Sequence, residues 1–254
     1  MIKGVLLDIS GVLYLGNQPL PGAIQALEHL AQTGRPYRLL TNTSRNSSHQ
    51  VVEKLQRMGF PIDANVVLTA PLAIRAYLQK HDLTPQLIIH PALASEFSGR
   101  FKGRPNAVVV CDAGEHFTYD ALNKAFQHLM TGAPLLAVGD NRYFRTEDGA
   151  LHLDAGPFIR ALAYAAGVDP IYLGKPAPAF FQMACETMGL PPGEVLMIGD
   201  DVEADILGAL NAGLKAALVK TGKYQPGDEN KLTGHAGIGD SLFSLIDNAT
   251  QVGK

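Results

Sequence analysis

Short, near-continuous apolar runs alternate with segments of helical period along almost the whole chain. Residues 5–7 precede a helical pattern at 23–31, and 37–40 precede one at 48–58. Strands that read as unbroken apolar runs are buried on both faces, and helices on either side of a parallel sheet produce that burial. The fold class is therefore α/β. After a strand at 66–69, a helix at 72–79 leads to a second set: strands at 87–90 and 107–110, a helix at 119–130, a strand at 135–138, a Gly/Asp-rich stretch at 139–148 and a long helix at 156–166. Residues 171–173, 179–188, 195–198, 204–212 and 216–219 then resume the first pattern. The expectation is a first α/β unit made of residues 1–70 and 170–254, with a second α/β unit, 71–169, inserted into it. Ala-Pro near residue 70 and Asp-Pro near residue 169 mark the joints.

At 254 residues the chain can bury a full core, and 46% hydrophobic with 18% charged residues describes an ordinary globular protein. A net charge of -3 leaves no basic footprint, which argues against nucleic acid as a partner. The opening MIKGVLLDISGVLY is too short to span a membrane and lacks the layout of a signal peptide, so neither membrane insertion nor export is expected. Cys111 and Cys185 form no C-x-x-C pair and suggest neither a disulfide framework nor a zinc site. They suit a reducing cytoplasm.

In open parallel sheets, ligands sit beyond the carboxyl ends of the strands. Four such ends carry Asp8-Ile9-Ser10-Gly11, Thr41-Asn42-Thr43-Ser44, Gly174-Lys175-Pro176 and Gly199-Asp200-Asp201. Phosphoryl transfer needs an in-line nucleophile, cations for the phosphoryl oxygens and fixed hydrogen-bond donors around them. Asp8 suits the nucleophile, because a carboxylate forms an acyl phosphate and splits one hard hydrolysis into two easier steps. Asp8 and Asp200 would repel an anionic phosphate unless a divalent cation sat between them, and hard oxygen ligands suit Mg²⁺. Lys175 adds a second positive charge, and Thr41, Asn42 and Thr43 supply donors. Asp201 and Asp205 lie in reach to order waters around the metal.

The order and spacing of these residues resemble the haloacid dehalogenase superfamily. Asp8-x-Ser10-Gly11, Thr41-Asn42, Gly174-Lys175-Pro176 and Gly199-Asp200-Asp201-x-x-x-Asp205 look like its four motifs, and the wide gap between the second and third resembles the NagD-like branch with an α/β cap. The tracts DAGE with the following aromatic-rich helix, GKPxPxFF, MIGDD and Thr221-Gly222-Lys223 resemble members of that branch that act on P–N bonds and pyrophosphate. The resemblance implies a Rossmann-like core with an inserted cap that shapes the substrate pocket. It also implies attack by Asp8, a metal held by Asp8, the backbone carbonyl of Ser10 and Asp200, and a phosphoryl group bound by Thr41, Asn42 and Lys175. Pairing of such chains through their caps makes a homodimer an expectation of the resemblance.

One departure bears on substrate. Most phosphatases of the superfamily carry an Asp where this chain has Ser10, and that Asp protonates the leaving group and later activates water. A serine hydroxyl cannot do this near neutral pH, and losing a general acid costs about 10²- to 10⁴-fold in rate. Leaving groups that depart readily are therefore favoured: P–N compounds such as phosphohistidine, phospholysine or imidodiphosphate, whose nitrogen can be protonated beforehand, and pyrophosphate; the partner is a small phosphorylated substrate or a phosphoprotein. A phosphomonoesterase for nucleotides or sugar phosphates is the alternative, and a phospho-ligand binding protein with little turnover is a third reading.

Each residue also has a plain structural reading. Asp8 alone could be a turn carboxylate, Asp200, Thr41 and Asn42 helix caps, and Lys175 a solvated lysine. Their conjunction at successive strand ends favours the phosphate site. Cys111 reads as a small packing residue. His116, and the aromatic-basic run Tyr143, Phe144 and Arg145, read equally as pocket residues or as surface and packing.

Overall fold

Strand Gly4–Asp8 is buried at every residue and lies inside a six-stranded sheet. The computed structural model describes residues 1–145, 149–232 and 236–251; residues 146–148, which end the Gly/Asp-rich stretch, the side chain of Arg145 and residues 252–254 lie outside that description. The described chain separates into two compact units. Within the described residues, one comprises 1–41, 49–68 and those from 175 onward, the other 42–48 and those of 69–174.

In the first unit the sheet runs in the order Gly237–Gly239, Lys215–Val219, Val195–Gly199, Gly4–Asp8, Tyr37–Thr41, Val67–Thr69. Gly4–Asp8 pairs in parallel with both neighbours, Leu7 opposite Ile198 on one side and Asp8 opposite Leu40 on the other. Val5, Leu7, Leu39, Ile198 and Ala217 pack with Leu27, Leu30, Val52, Leu55 and Ile246 in one cluster. Leu6, Leu40 and Met197 alternate to the opposite face and are just as buried. This two-sided burial is why the strands read as continuous apolar runs. From Gly4–Asp8 the chain moves outward to Tyr37–Thr41 and Val67–Thr69, then returns to the other side at Val195–Gly199. That reversal of strand order puts Asp8 at the topological switch point, where such sheets bind ligands.

Helices Ala23–Gln32, Ser48–Arg57 and Pro178–Glu186 stand within a few residues of their expected places. The single helix expected at 204–212 is instead a π-helical turn, Val202–Leu207, followed by the short α-helix Gly208–Asn211. The amide of Ile206 donates to the Asp201 carbonyl five residues back, at 3.3 Å. Asp201 caps the turn through its side chain, accepting from the amides of Glu203 at 3.1 Å and Ala204 at 3.0 Å.

The second unit has a parallel sheet in the order Ile171–Tyr172, Leu135–Ala137, Ala107–Val110, Pro85–Ile88. Its helices include Ala70–Lys80, Tyr119–Met130 and Gly156–Ala166. The Gly/Asp-rich stretch contains strand Tyr143–Arg145, which forms an antiparallel hairpin with Leu151–Leu153. Among the described residues no helix is long and apolar enough to cross a membrane.

Candidate active site

The end of the central strand carries the charged cluster of the first unit. Asp8 is 8% exposed, and its Oδ1 accepts from the Lys175 ammonium. Lys175 is 6% exposed, and its Nζ also lies 2.6 Å from Asp205 Oδ1. One buried cation is thus held between two buried carboxylates. Asp205 completes its engagement by accepting the Asp201 amide through Oδ2 at 3.2 Å. Gly199 permits this approach, since a Cβ there would stand 2.3 Å from the Asp205 carboxylate.

Asp200, 2% exposed, follows strand Val195–Gly199 directly. Its Oδ2 accepts the Lys223 amide at 2.7 Å. Two glycines make room for it: a Cβ on Gly11 or on Gly222 would each meet Asp200 Oδ2 at 2.0 Å. Both have positive φ, at 90° and 58°, which glycine adopts without the penalty of a side chain. Thr221 donates its hydroxyl to the Gly11 carbonyl, binding the segment 221–223 to the loop after Asp8. Lys223 Nζ reaches Asp201 Oδ2 at 3.0 Å.

The electrostatics follow from burial. Desolvation pushes Asp8 above the usual carboxylate range, although Lys175 opposes it. Burial, with Asp205 nearby, pushes Asp200 up to about 6, and burial pushes Asp205 to about 6 against the pull of Lys175. Lys175 is held well above its ordinary value, because Asp205 and Asp8 outweigh the burial that would discharge it. Asp201 moves the other way: the Ala204 amide and Lys223 overcome its partial burial and lower it.

Asp8, Asp200 and Asp205 have carboxylate oxygens all within 4.8 Å of one another, a donor set of hard oxygens suited to a divalent cation. Both oxygens of Asp205 are engaged with Lys175 and the Asp201 amide, which leaves Asp8 and Asp200 as the pair better able to hold an ion. Carboxylates whose proton affinity is raised by burial and mutual repulsion gain most from a cation between them. The residues fit Mg²⁺.

Of the other expected site residues, Thr41 closes the strand beside Asp8, one position beyond the Asp8–Leu40 pair. Ser10 is exposed and forms an isolated bridge with Tyr14. Asn42 and Thr43 come next in the chain but group with the second unit. There, Arg45 grips Asp112 with two hydrogen bonds, from Nε at 2.5 Å and Nη2 at 3.2 Å, and lies 4.8 Å over the Phe144 ring. Cys111 is fully buried and its thiol is pushed far up by burial, so it is a packing residue. His116 stands edge-on to His90 and lines a cleft of about 310 Å³ with Leu87, Ile88, Pro91 and Thr118. Tyr143 is exposed.

Sequence reasoning assigned no role to Thr221, Gly222 and Lys223. The signal was present: they follow strand Lys215–Val219 at its carboxyl end, the rule that identified the other four tracts.

A haloacid dehalogenase-like hydrolase model matches residues 5–99, and a HAD-hydrolase-like model matches 172–244. The chain is 39% identical over 253 residues to rat phospholysine phosphohistidine inorganic pyrophosphate phosphatase, covering 97% of this chain and 93% of that protein. It is 40% identical over 231 residues to bovine haloacid dehalogenase-like hydrolase domain-containing protein 2, covering 91% and 89%. Among solved structures it is similar to a 4-nitrophenylphosphatase from Thermotoga maritima, with TM-score 0.88, 27% identity and 97% coverage of each chain. It is also similar to NagD from E. coli, with TM-score 0.86, 25% identity and coverage of 95% and 97%. With four motifs in order, a buried aspartate at the switch point and relatives that match nearly end to end, this chain belongs to the haloacid dehalogenase-like hydrolases.

Proposed function

We propose that the protein is a Mg²⁺-dependent phosphatase that cleaves P–N bonds and phosphoanhydrides through an aspartyl-phosphate on Asp8. One observation carries the reading: Asp8 ends the central strand, shares Lys175 with Asp205, and lies with Asp200 in the three-carboxylate group. An Asp8 oxygen attacks phosphorus while the bond to the leaving nitrogen or oxygen breaks and its electron pair departs with that atom. Water then attacks the aspartyl-phosphate, releasing phosphate and restoring the carboxylate. Lys175 holds a phosphoryl oxygen and favours the ionised form of Asp8 against the effect of burial. Thr41, at the end of the strand beside Asp8, supplies a donor to the remaining oxygens. Asp8, Asp200 and the Ser10 carbonyl would hold Mg²⁺, with Asp201 and Asp205 outside that shell. Bound there, the ion supplies charge neutralisation for the phosphoryl oxygens.

The substrate class rests on Ser10 and on the rat relative's name. Lacking a carboxylic acid at that position, the enzyme favours leaving groups that need no proton from the protein. The two free, buried cysteines suit a reducing compartment such as the cytoplasm. In steady-state assays with Mg²⁺, imidodiphosphate, pyrophosphate and phosphohistidine should give kcat/KM values at least about tenfold above alkyl phosphate monoesters. Equal turnover of a simple alkyl monoester would overturn the substrate class and leave a phosphomonoesterase, while no metal-dependent release from any compound would favour a binding protein.

Metal binding should be linked to pH. With Asp200 pushed up to about 6, Mg²⁺ must displace protons at lower pH, so affinity should fall by up to about tenfold per unit below that value and level off above it. A carboxylate raised on folding stabilises the metal-free fold fully below its unfolded value, and that contribution is lost as pH rises through about 6. Mg²⁺ should therefore raise Tm more at pH 7.5 than at pH 5. Calorimetric titration at the two pH values checks the affinity, and a flat profile would contradict this assignment.

A further inference from the structure

Two ammonium groups belong to the charged cluster of the first unit, and they are placed differently. Lys175 is buried between Asp8 and Asp205. Lys223 has a fixed base and an open tip: its amide is bonded to Asp200, while its side chain is 73% exposed. Gly222 lies so close to Gly11 that a Cβ on it would stand 2.6 Å from the Gly11 Cα, so Lys223 leaves the backbone beside the loop that carries Ser10. Its pair with Asp201 is at the surface, where such a contact adds little to stability. Asp201 already has two amides on its other oxygen. The lysine is thus held at the mouth of the carboxylate cluster with little structural work to do.

Resting on the reading of the previous subsection, we propose that Lys223 is a specificity-determining residue that binds the leaving phosphoryl group of diphosphate-type substrates. Ser10 cannot neutralise a departing group by giving it a proton. An ammonium at the mouth of the cluster neutralises an anionic leaving group by charge instead. Pyrophosphate near neutral pH holds at least one proton, so HP₂O₇³⁻ and the Asp8 carboxylate give aspartyl-phosphate and HPO₄²⁻. The P–O bond breaks with its pair on the departing phosphate, four negative charges stand on each side, and no proton is drawn from the protein. Lys223 binds the phosphate oxygens that gain charge in this step. An alkoxide leaving group receives no such help, because its need is a proton.

The test compares wild type, Lys223→Gln and Lys223→Arg in the presence of Mg²⁺ on pyrophosphate and on 4-nitrophenyl phosphate, whose leaving group has no phosphoryl oxygens. Lys223→Gln should lower kcat/KM for pyrophosphate roughly 10- to 100-fold, the range for a lost hydrogen bond between charged groups, and for the aryl ester only a few-fold. Lys223→Arg should recover most of the loss. Equal losses on both substrates would overturn the proposal and make Lys223 a support for Asp201, and no loss on either would make it a solvated surface residue. If wild type does not hydrolyse pyrophosphate, the substrate reading fails by itself. Lys223 is then judged by the inhibition constant of pyrophosphate against 4-nitrophenyl phosphate turnover, which Lys223→Gln should raise at least about tenfold; an unchanged constant would overturn the proposal.

Discussion

Asp8→Asn should abolish metal-dependent phosphate release, by a factor on the order of 10⁴ or more, because an amide offers no anionic oxygen to attack phosphorus. The substitution preserves shape. The carboxamide can still accept from Lys175 through its oxygen, and one buried carboxylate, whose burial already disfavours its charge, is removed. Stability should consequently change by no more than about 1 kcal/mol. Quenching the wild type with substrate and weighing the intact protein should reveal a phosphoryl adduct that the variant lacks. A variant with a tenth of normal activity, or an adduct on another residue, would remove Asp8 from the nucleophile's role.

Lys175→Met should damage both fold and chemistry. The ammonium is the partner of two carboxylates that are themselves buried, and taking away one member of a buried ionic group leaves the rest uncompensated. Such losses run to about 3–5 kcal/mol, which for a chain of this size corresponds to roughly 10 °C in Tm. The deficit should shrink as pH falls, since Asp8 and Asp205 can then take up protons and become neutral. Adding Asp205→Asn to Lys175→Met should return part of the stability and none of the activity, because it removes a stranded charge without restoring a cation for the phosphoryl group. A Tm within about 2 °C of wild type for Lys175→Met would show that Lys175 does not hold the site together.

Much of the fold was legible because its signals are local. A strand buried on both faces needs apolar residues along its length, and residues 5–7, 107–110 and 195–198 show this in the raw sequence. Elements with weaker local signals were not anticipated. Gly237–Gly239 is two-thirds glycine and sits at the sheet edge, where a strand needs no apolar run. The three-residue strands of the hairpin at Tyr143–Arg145 and Leu151–Leu153 are too short for an alternation to register, and helix Leu242–Gln251 stands beyond the last expected element although its apolar residues recur at helical spacing. The turn at Val202–Leu207 shows the same limit differently: composition favours a helix, but the Asp201 cap and the engagement of Asp205 by Lys175 accompany a wider turn.

The sequence by itself determined the class of fold, from the apolar runs and helical periods, and the family, from the order and spacing of the tracts that follow those runs. Tertiary structure decided how those groups are used. Lys175 and Asp8 are 167 positions apart, and no local pattern says that one ammonium will lie between Asp8 and Asp205, or that Gly11 and Gly222 will close on Asp200 so that the Lys223 amide caps it. Charge acts through space and burial sets its strength. Which carboxylates share a cation, and which remain available for a metal, is therefore settled only when folding brings these groups together.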